Sequence, residues 1–233
     1  MPPSQLVLEF DHRPSLDGAD FLVAPCNSDA VAWLDRWPDW PGPTLVVSGP
    51  AGCGKSHLAE VFLGTSGGVR LSREELFGEA PPHPWDEFRA CVIEDVDALL
   101  ASDASDRLEE NLFHLYNTAR EDGRHILLTA ATAPSRWQFQ LADLASRMKS
   151  SGVVEIGTPD DALIAAVLVK QFADRQLKVD SDAITFVQAR MERSFDAVSE
   201  LVEAADRLAL SERRRITRPL LAKVLEDIES RKA

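Results

Sequence analysis

The sequence predicts an α/β fold: a parallel five-stranded sheet flanked by helices, followed by a small all-α lid domain. Three observations predict it. Short apolar runs of strand length alternate with stretches of helical spacing between residues 44 and 156. Strand-like runs stop after Thr158 and Pro159, and four helical patterns follow. A glycine-rich GxxxxGKS stretch lies where the first apolar run meets a helix. Strands buried on both faces read as unbroken apolar runs, and their alternation with helices implies parallel crossovers.

The elements follow in order. Residues 1–20 read as a flexible arm, because Pro2, Pro3, Pro14 and Gly18 break any long element. Residues 28–37 have helical spacing and put Trp33 and Trp37 one turn apart, facing inward. A proline-rich loop, 38–43, ends them. Thr44–Ser48 (TLVVS) is a buried strand, 55–63 a helix and 69–71 a weak strand. Ser72 followed by Glu75 is a capping-box pattern for a short helix over 72–77. After Pro81, Pro82 and Pro84, residues 90–95 (ACVIED) form a strand ending in acids. Residues 106–121 place Leu108, Leu112 and Leu115 on one helix face, and 126–131 and 153–156 complete the sheet. Helical spacing then covers 160–175, 182–191, 195–210 and 218–228. The predicted divisions are an arm (1–20), an α/β core (21–158) and a helical lid (159–233).

Composition narrows the function classes. The chain has 233 residues, 45% of them hydrophobic, enough for one domain or two small ones at about 100–200 residues each. The longest apolar run, near 162–169, falls short of the ~20 residues of a membrane span, so no membrane partner is expected. No secretory leader opens the chain. Cys26, Cys53 and Cys91 form no CxxC and fit a reducing cytoplasm, and the five histidines show no zinc spacing. The net charge of −13 opposes affinity for duplex DNA, and no sequence-specific DNA binding is expected. Arg213, Arg214, Arg215 and Arg218 make a local basic run, read as a solvated turn or as a contact to DNA or an acidic protein.

Gly49-Pro50-Ala51-Gly52-Cys53-Gly54-Lys55-Ser56 matches GxxxxGK[ST] in full, between a strand and a helix as the motif requires. Its glycines let backbone N–H groups turn toward phosphate oxygens, and the helix start adds its positive dipole end. Lys55 would reach the β- and γ-phosphates, the Ser56 hydroxyl would hold Mg²⁺, and His57 continues the nucleotide-binding stretch. ADP or ATP with Mg²⁺ is the expected ligand. A metal-holding acid is expected at the end of a neighbouring buried strand, and Glu94 and Asp95 stand there. Glu94 is assigned to Mg²⁺ and Asp95 to polarising water.

The order of loop, acid strand, third strand and helical tail resembles the AAA+ ATPases, most of all the nucleotide-binding part of the DnaA initiators. Phe21-Leu22-Val23, the loop, residues 93–96, Leu127-Leu128-Thr129 and Leu144-Ala145-Ser146-Arg147-Met148 carry the resemblance. The last segment resembles the family's arginine-finger segment. The resemblance implies that Arg147 reaches the nucleotide of a neighbouring subunit and neutralises charge on the transferred phosphoryl group. Gln5-Leu6-Val7-Leu8-Glu9-Phe10 resembles the short motif by which bacterial proteins dock on the replication sliding clamp. Gln5 would hydrogen-bond at the pocket mouth, Leu8 and Phe10 would be apolar anchors, and Leu6 would add contact area. No counterpart of the initiators' DNA-reading domain is expected after the helical lid. Core, lid and hexapeptide together resemble the Hda/HdaA family. That resemblance implies docking on the DNA-loaded clamp and stimulation of ATP hydrolysis by DnaA, which prevents re-initiation. Bound ADP and a homodimer are further implications.

Three positions depart from an active AAA+ pattern. Glu94-Asp95 replaces the family's paired aspartates or Asp-Glu. Ala131 falls where a polar sensor is expected, with Thr132 beside it. Asp196 falls where the lid arginine is expected, with Arg193 nearby as a substitute. Weak self-catalysed turnover is therefore expected. The alternatives are a helicase-loader-like assembly factor, which would not need residues 5–10, and a stand-alone P-loop ATPase, which would turn over without a partner.

Overall fold

The structure, a computed structural model, describes residues 12–13, 21–102, 105–212 and 214–232. It divides into two compact units, one spanning His12–Gly157 and the other the helices after Thr158. The hexapeptide Gln5 to Phe10 lies outside the described residues.

The first unit opens with a two-residue antiparallel ladder, β1 (His12–Arg13) with β2 (Phe21–Leu22). Part of the expected arm is thus paired. Helix α1 (Ser28–Asp35) follows, then β3 (Thr44–Ser48), α2 (Lys55–Ser66), β4 (Val69–Arg70) and α3 (Arg73–Leu76). The Ser72/Glu75 capping box forms in both directions. Next come β5 (Ala90–Ile93), α4 (Val96–Leu100), α5 (Ser105–Glu121), β6 (His125–Ala130), α6 (Ala142–Lys149) and β7 (Gly152–Glu155). The five-stranded sheet is parallel, in the order β4-β5-β6-β3-β7.

Alternation within the apolar runs explains the three layers. Successive strand side chains point to opposite faces. Leu45 and Val47 of β3, Val92 of β5 and Leu127 of β6 pack with α1 and α2. Val46, Cys91, Ile93, Ile126 and Leu128 pack on the other face with α5, α6 and the short α3 and α4. Both faces are covered, so no polar alternation appears in the sequence. Three tryptophans are buried: Trp40 stacks on Phe62, while the indole N–H groups of Trp85 and Trp137 donate to Thr118 Oγ1 and the Thr132 carbonyl. Trp33 and Trp37 are only half-buried, and Trp37 meets Phe62 edge-on. Burial pushes the Cys91 thiol up, which leaves it protonated and unreactive.

The second unit is all helical: α7 (Asp161–Asp174), α8 (Ser181–Gln188), α9 (Phe195–Glu212) and α10 (Arg218–Lys232). Asp160 caps α7 by accepting the Leu163 N–H at 2.8 Å, and Ser194 Oγ accepts the Ala197 N–H at the start of α9. Its own core contains Leu168, Phe172, Ile184, Val198, Leu201 and Leu221. Among the described residues, no helix is long and apolar enough to cross a membrane.

Candidate nucleotide-binding site

The parallel register sets the site. Ser48 at the end of β3 lies beside Ala130 of β6, and Leu128 of β6 lies beside Ile93 of β5. The Gly49–Ser56 loop and the Glu94–Asp95 pair therefore leave the same carboxyl edge of the sheet, where ligands of open α/β sheets bind.

The loop's shape is made by backbone. The Gly49 N–H donates to the Ala130 carbonyl at 3.2 Å. A Cβ at Gly49 would stand 2.5 Å from the Ile156 carbonyl oxygen, so only glycine fits between β3 and β7. Gly52 and Gly54 have φ of 66° and 100°, in the left-handed region that glycine enters without strain. Gly54 is the N-cap of α2, and no side chain caps that helix. The first N–H groups of α2 thus lack an internal side-chain acceptor, which suits a phosphate.

Lys55 is buried, and its Nζ donates to the carbonyls of Gly49 at 2.8 Å and Pro50 at 2.9 Å. Those bonds fold the ammonium back over the loop, with no carboxylate partner among the described residues. Its full charge remains available to a phosphate. Pro50, Ala51, Ser56 and His57 are exposed, and Cys53 is buried beneath the loop. A nucleotide phosphate fits this cradle by shape and by charge.

The acid edge is different. Glu94 accepts Arg70 Nε at 2.8 Å, and a second guanidinium nitrogen of Arg70 reaches Glu60 at 2.8 Å. Sequence reading missed Arg70, because the pairing depends on β4 lying beside β5. Asp95 is exposed, with φ 53° and ψ 43° at the start of α4, and its N–H donates to Thr129 Oγ1 at 3.1 Å. Asp97, also missed, accepts the N–H groups of Ala131 and Thr132 and the Thr132 hydroxyl, all at 3.0–3.1 Å. The polar atoms nearest the expected sensor thus pin the loop after β6. The Ala131 methyl adds no hydrogen bond.

The described residues hold no cluster of three or more metal-ligating side chains. Mg²⁺ bound through one or two protein oxygens and the phosphates needs none. Ser56 is open for that role, while Glu94 meets a cation only in competition with Arg70.

In the helical unit, Arg193 clasps Asp161 with two bonds, Nε to Oδ1 at 2.6 Å and a terminal nitrogen to Oδ2 at 3.0 Å. Asp196 lies in the first turn of α9, where the helix dipole favours a negative charge. Arg147, on α6, is half-buried. Its guanidinium lies 4.5 Å over the Phe113 ring and 5.3 Å from that of Tyr116, and it donates to Asn117 Oδ1. Phe113, Tyr116 and Asn117 of α5 therefore set its direction, and the one-dimensional pattern gave no sign of them.

The family model described as "AAA domain" matches residues 45–198, spanning the loop, the acid edge and the start of α9. The chain belongs to this AAA family. Among curated proteins it is 24% identical over 191 residues to an uncharacterized protein of Haemophilus influenzae, covering 78% of this chain and 81% of that one. It is 26% identical over 236 residues to the chromosomal replication initiator protein DnaA of Thermus thermophilus, covering 93% of this chain and 54% of that protein. The chain spans about half the length of the DnaA relatives it matches. Domain III of DnaA from Thermotoga maritima superposes with a TM-score of 0.76 at 17% identity, over 89% of this chain and 94% of that one. AMPPCP-bound DnaA from Aquifex aeolicus gives 0.66 at 16% identity, over 83% and 65%. The AAA chain is DnaA-related, with the sheet and helical region of AAA+ proteins.

Proposed function

We propose that this DnaA-related AAA chain is a nucleotide-binding adaptor that docks on the sliding clamp and stimulates ATP hydrolysis by DnaA, restraining re-initiation. One observation carries the reading: the phosphate cradle is intact while the groups expected to drive hydrolysis, the exposed Asp95 excepted, are engaged elsewhere or lack a polar atom. Gly52, Gly54 and Lys55 offer N–H groups and a cation to phosphates, and Ser56 is the exposed hydroxyl for Mg²⁺. Glu94 is paired with Arg70, Ala131 has no polar atom on its side chain, and Arg193 is clasped by Asp161. A site of this kind holds a nucleotide longer than it turns one over, and ADP suits it.

Bound Mg²⁺ would neutralise phosphate charge there. The chain's own residues bind and orient the diphosphate: backbone N–H groups at α2 take its oxygens, and the Lys55 ammonium pairs with the terminal phosphate. Arg147 then acts on the ATP of DnaA. Its stacking on Phe113 and Tyr116 fixes the guanidinium plane, which lowers the cost of ordering it at a partner's γ-phosphate. A guanidinium supplied in trans is worth roughly 10³–10⁵ in phosphoryl-transfer rate in well-coupled systems. Gln5, Leu6, Leu8 and Phe10 supply the clamp contact.

The test is the rate of ATP hydrolysis by DnaA with this protein and clamp loaded on DNA. We expect stimulation on the order of tenfold or more that requires both. Arg147→Ala should lose it while keeping ADP affinity, and Gln5→Ala/Phe10→Ala should lose only the clamp-dependent part. Unchanged hydrolysis with wild-type protein, or full stimulation by Arg147→Ala, would refute the reading.

A further inference from the structure

The acidity of the chain is unevenly spread. Residues 158–233 carry 13 basic and 14 acidic side chains, so nearly all of the net charge of −13 belongs to residues 1–157. Within the near-neutral helical unit, residues 213–223 hold five cations and no acid. Residues 214–223 lie in the turn from α9 to α10 and the beginning of α10. Ile216 and Leu220 are buried in the lid core and fix the backbone there, while Arg214, Arg215 and Arg218 are exposed.

A cavity of about 410 Å³ opens at this turn. Glu212, Arg214, Arg215, Thr217 and Lys223 supply its polar wall, and Leu208 belongs to its apolar lining. Glu212 organises the cations. It accepts Lys223 Nζ at 2.9 Å and a terminal nitrogen of Arg214 at 3.3 Å. These two hydrogen bonds, that from Lys223 first, hold its carboxyl below the usual range. One carboxylate thus keeps two cations together beside a third, Arg215. Arg215 and Arg218 make no ion pair with another described residue. Arg218 lies 4.6 Å over the Phe186 ring, which Arg190 approaches at 4.1 Å.

We propose that this turn contacts the phosphodiester backbone of duplex DNA without reading its sequence. Three arguments favour that occupant. Phosphates follow one another every ~1.7 Å along a duplex, and exposed cations gain affinity there by releasing condensed counterions. A single carboxylate on a protein surface offers exposed cations little by comparison. The guanidinium fork also matches a phosphate with two parallel bonds. This inference does not depend on the clamp or on DnaA.

The experiment is fluorescence anisotropy of the full chain on a labelled random-sequence duplex, titrated from about 50 to 200 mM salt. Four engaged phosphates predict a log–log slope of about −3.6, at ~0.9 per phosphate. Arg214→Ala/Arg215→Ala should flatten the slope by about two and weaken low-salt binding at least ~tenfold, with ADP affinity and helicity unchanged. Lys223→Gln should flatten it by about one. The proposal is overturned by no duplex binding at the lowest salt or by an unchanged slope in the double variant. It is also overturned if polyglutamate displaces the duplex at equal charge concentration, since the occupant would then be an acidic protein.

Discussion

The phosphate loop and the acid edge leave the same end of one sheet, yet they are built from different material. In the loop, backbone geometry sets the function. Gly49 is wedged against Ile156, Gly52 and Gly54 hold left-handed conformations, and α2 begins without a side-chain cap. At the acid edge the chemistry rests on side chains, and two of the three acids have an internal partner, Glu94 with Arg70 and Asp97 with the loop after β6, while Asp95 is exposed. In the proposed function, phosphate binding and phosphate cleavage therefore draw on different groups, backbone in the loop and side chains at the acid edge. The N–H groups at the start of α2 have no side-chain cap, whereas Glu94 and Asp97 are held by neighbouring groups.

The largest expected effect tests the loop. Lys55→Ala removes the one buried ammonium beside the phosphates and should weaken ADP binding by about 100-fold, the loss of a charge-assisted bond worth ~1.5–3 kcal/mol. Titration of a fluorescent ADP analogue measures it. A loss under threefold would mean that the glycine loop alone holds the nucleotide.

Gly49→Ala comes next. Its Cβ would stand 2.5 Å from the Ile156 carbonyl oxygen, so backbone must move, at a cost of about 1–3 kcal/mol. Thermal melting should show Tm lowered by roughly 2–12 °C for a chain of this size. An unchanged Tm would show that β7 yields easily and that the loop is less rigid than its contacts imply.

The smallest effect tests the acid edge. The Arg70–Glu94 pair is partly exposed, with Arg70 at 40% and Glu94 at 20% side-chain exposure, so Arg70→Ala should change stability by only about 0–1 kcal/mol. Freed of its guanidinium, Glu94 should favour Mg²⁺. ADP affinity in Mg²⁺ relative to EDTA should rise several-fold over wild type, read by calorimetry. An unchanged ratio would remove Arg70 from the account of the site and bring the two regions closer in kind.

Local chemistry made much of this legible. The Thr44–Ser48 strand, the Ser72/Glu75 cap and the four lid helices all depend on neighbours within a few residues. Helices α4 and α6 were not delimited from the sequence: neither has a side-chain N-cap, and both are short, whereas the four-residue α3 is marked by its Ser72/Glu75 capping box.

By itself, the sequence determined the alternating α/β order, the phosphate loop between a strand and a helix, and the acids closing the third strand of the sheet. Each is a local pattern, fixed by side-chain period or by backbone freedom at glycine. Only the tertiary structure decided that Arg70 occupies Glu94, that Asp161 occupies Arg193, and that Phe113, Tyr116 and Asn117 aim Arg147. These pairings join residues 24 to 34 positions apart, and a charge's partner depends on which elements become neighbours. The sequence specified the cradle; the packing of separate elements decided which of its charges remain available.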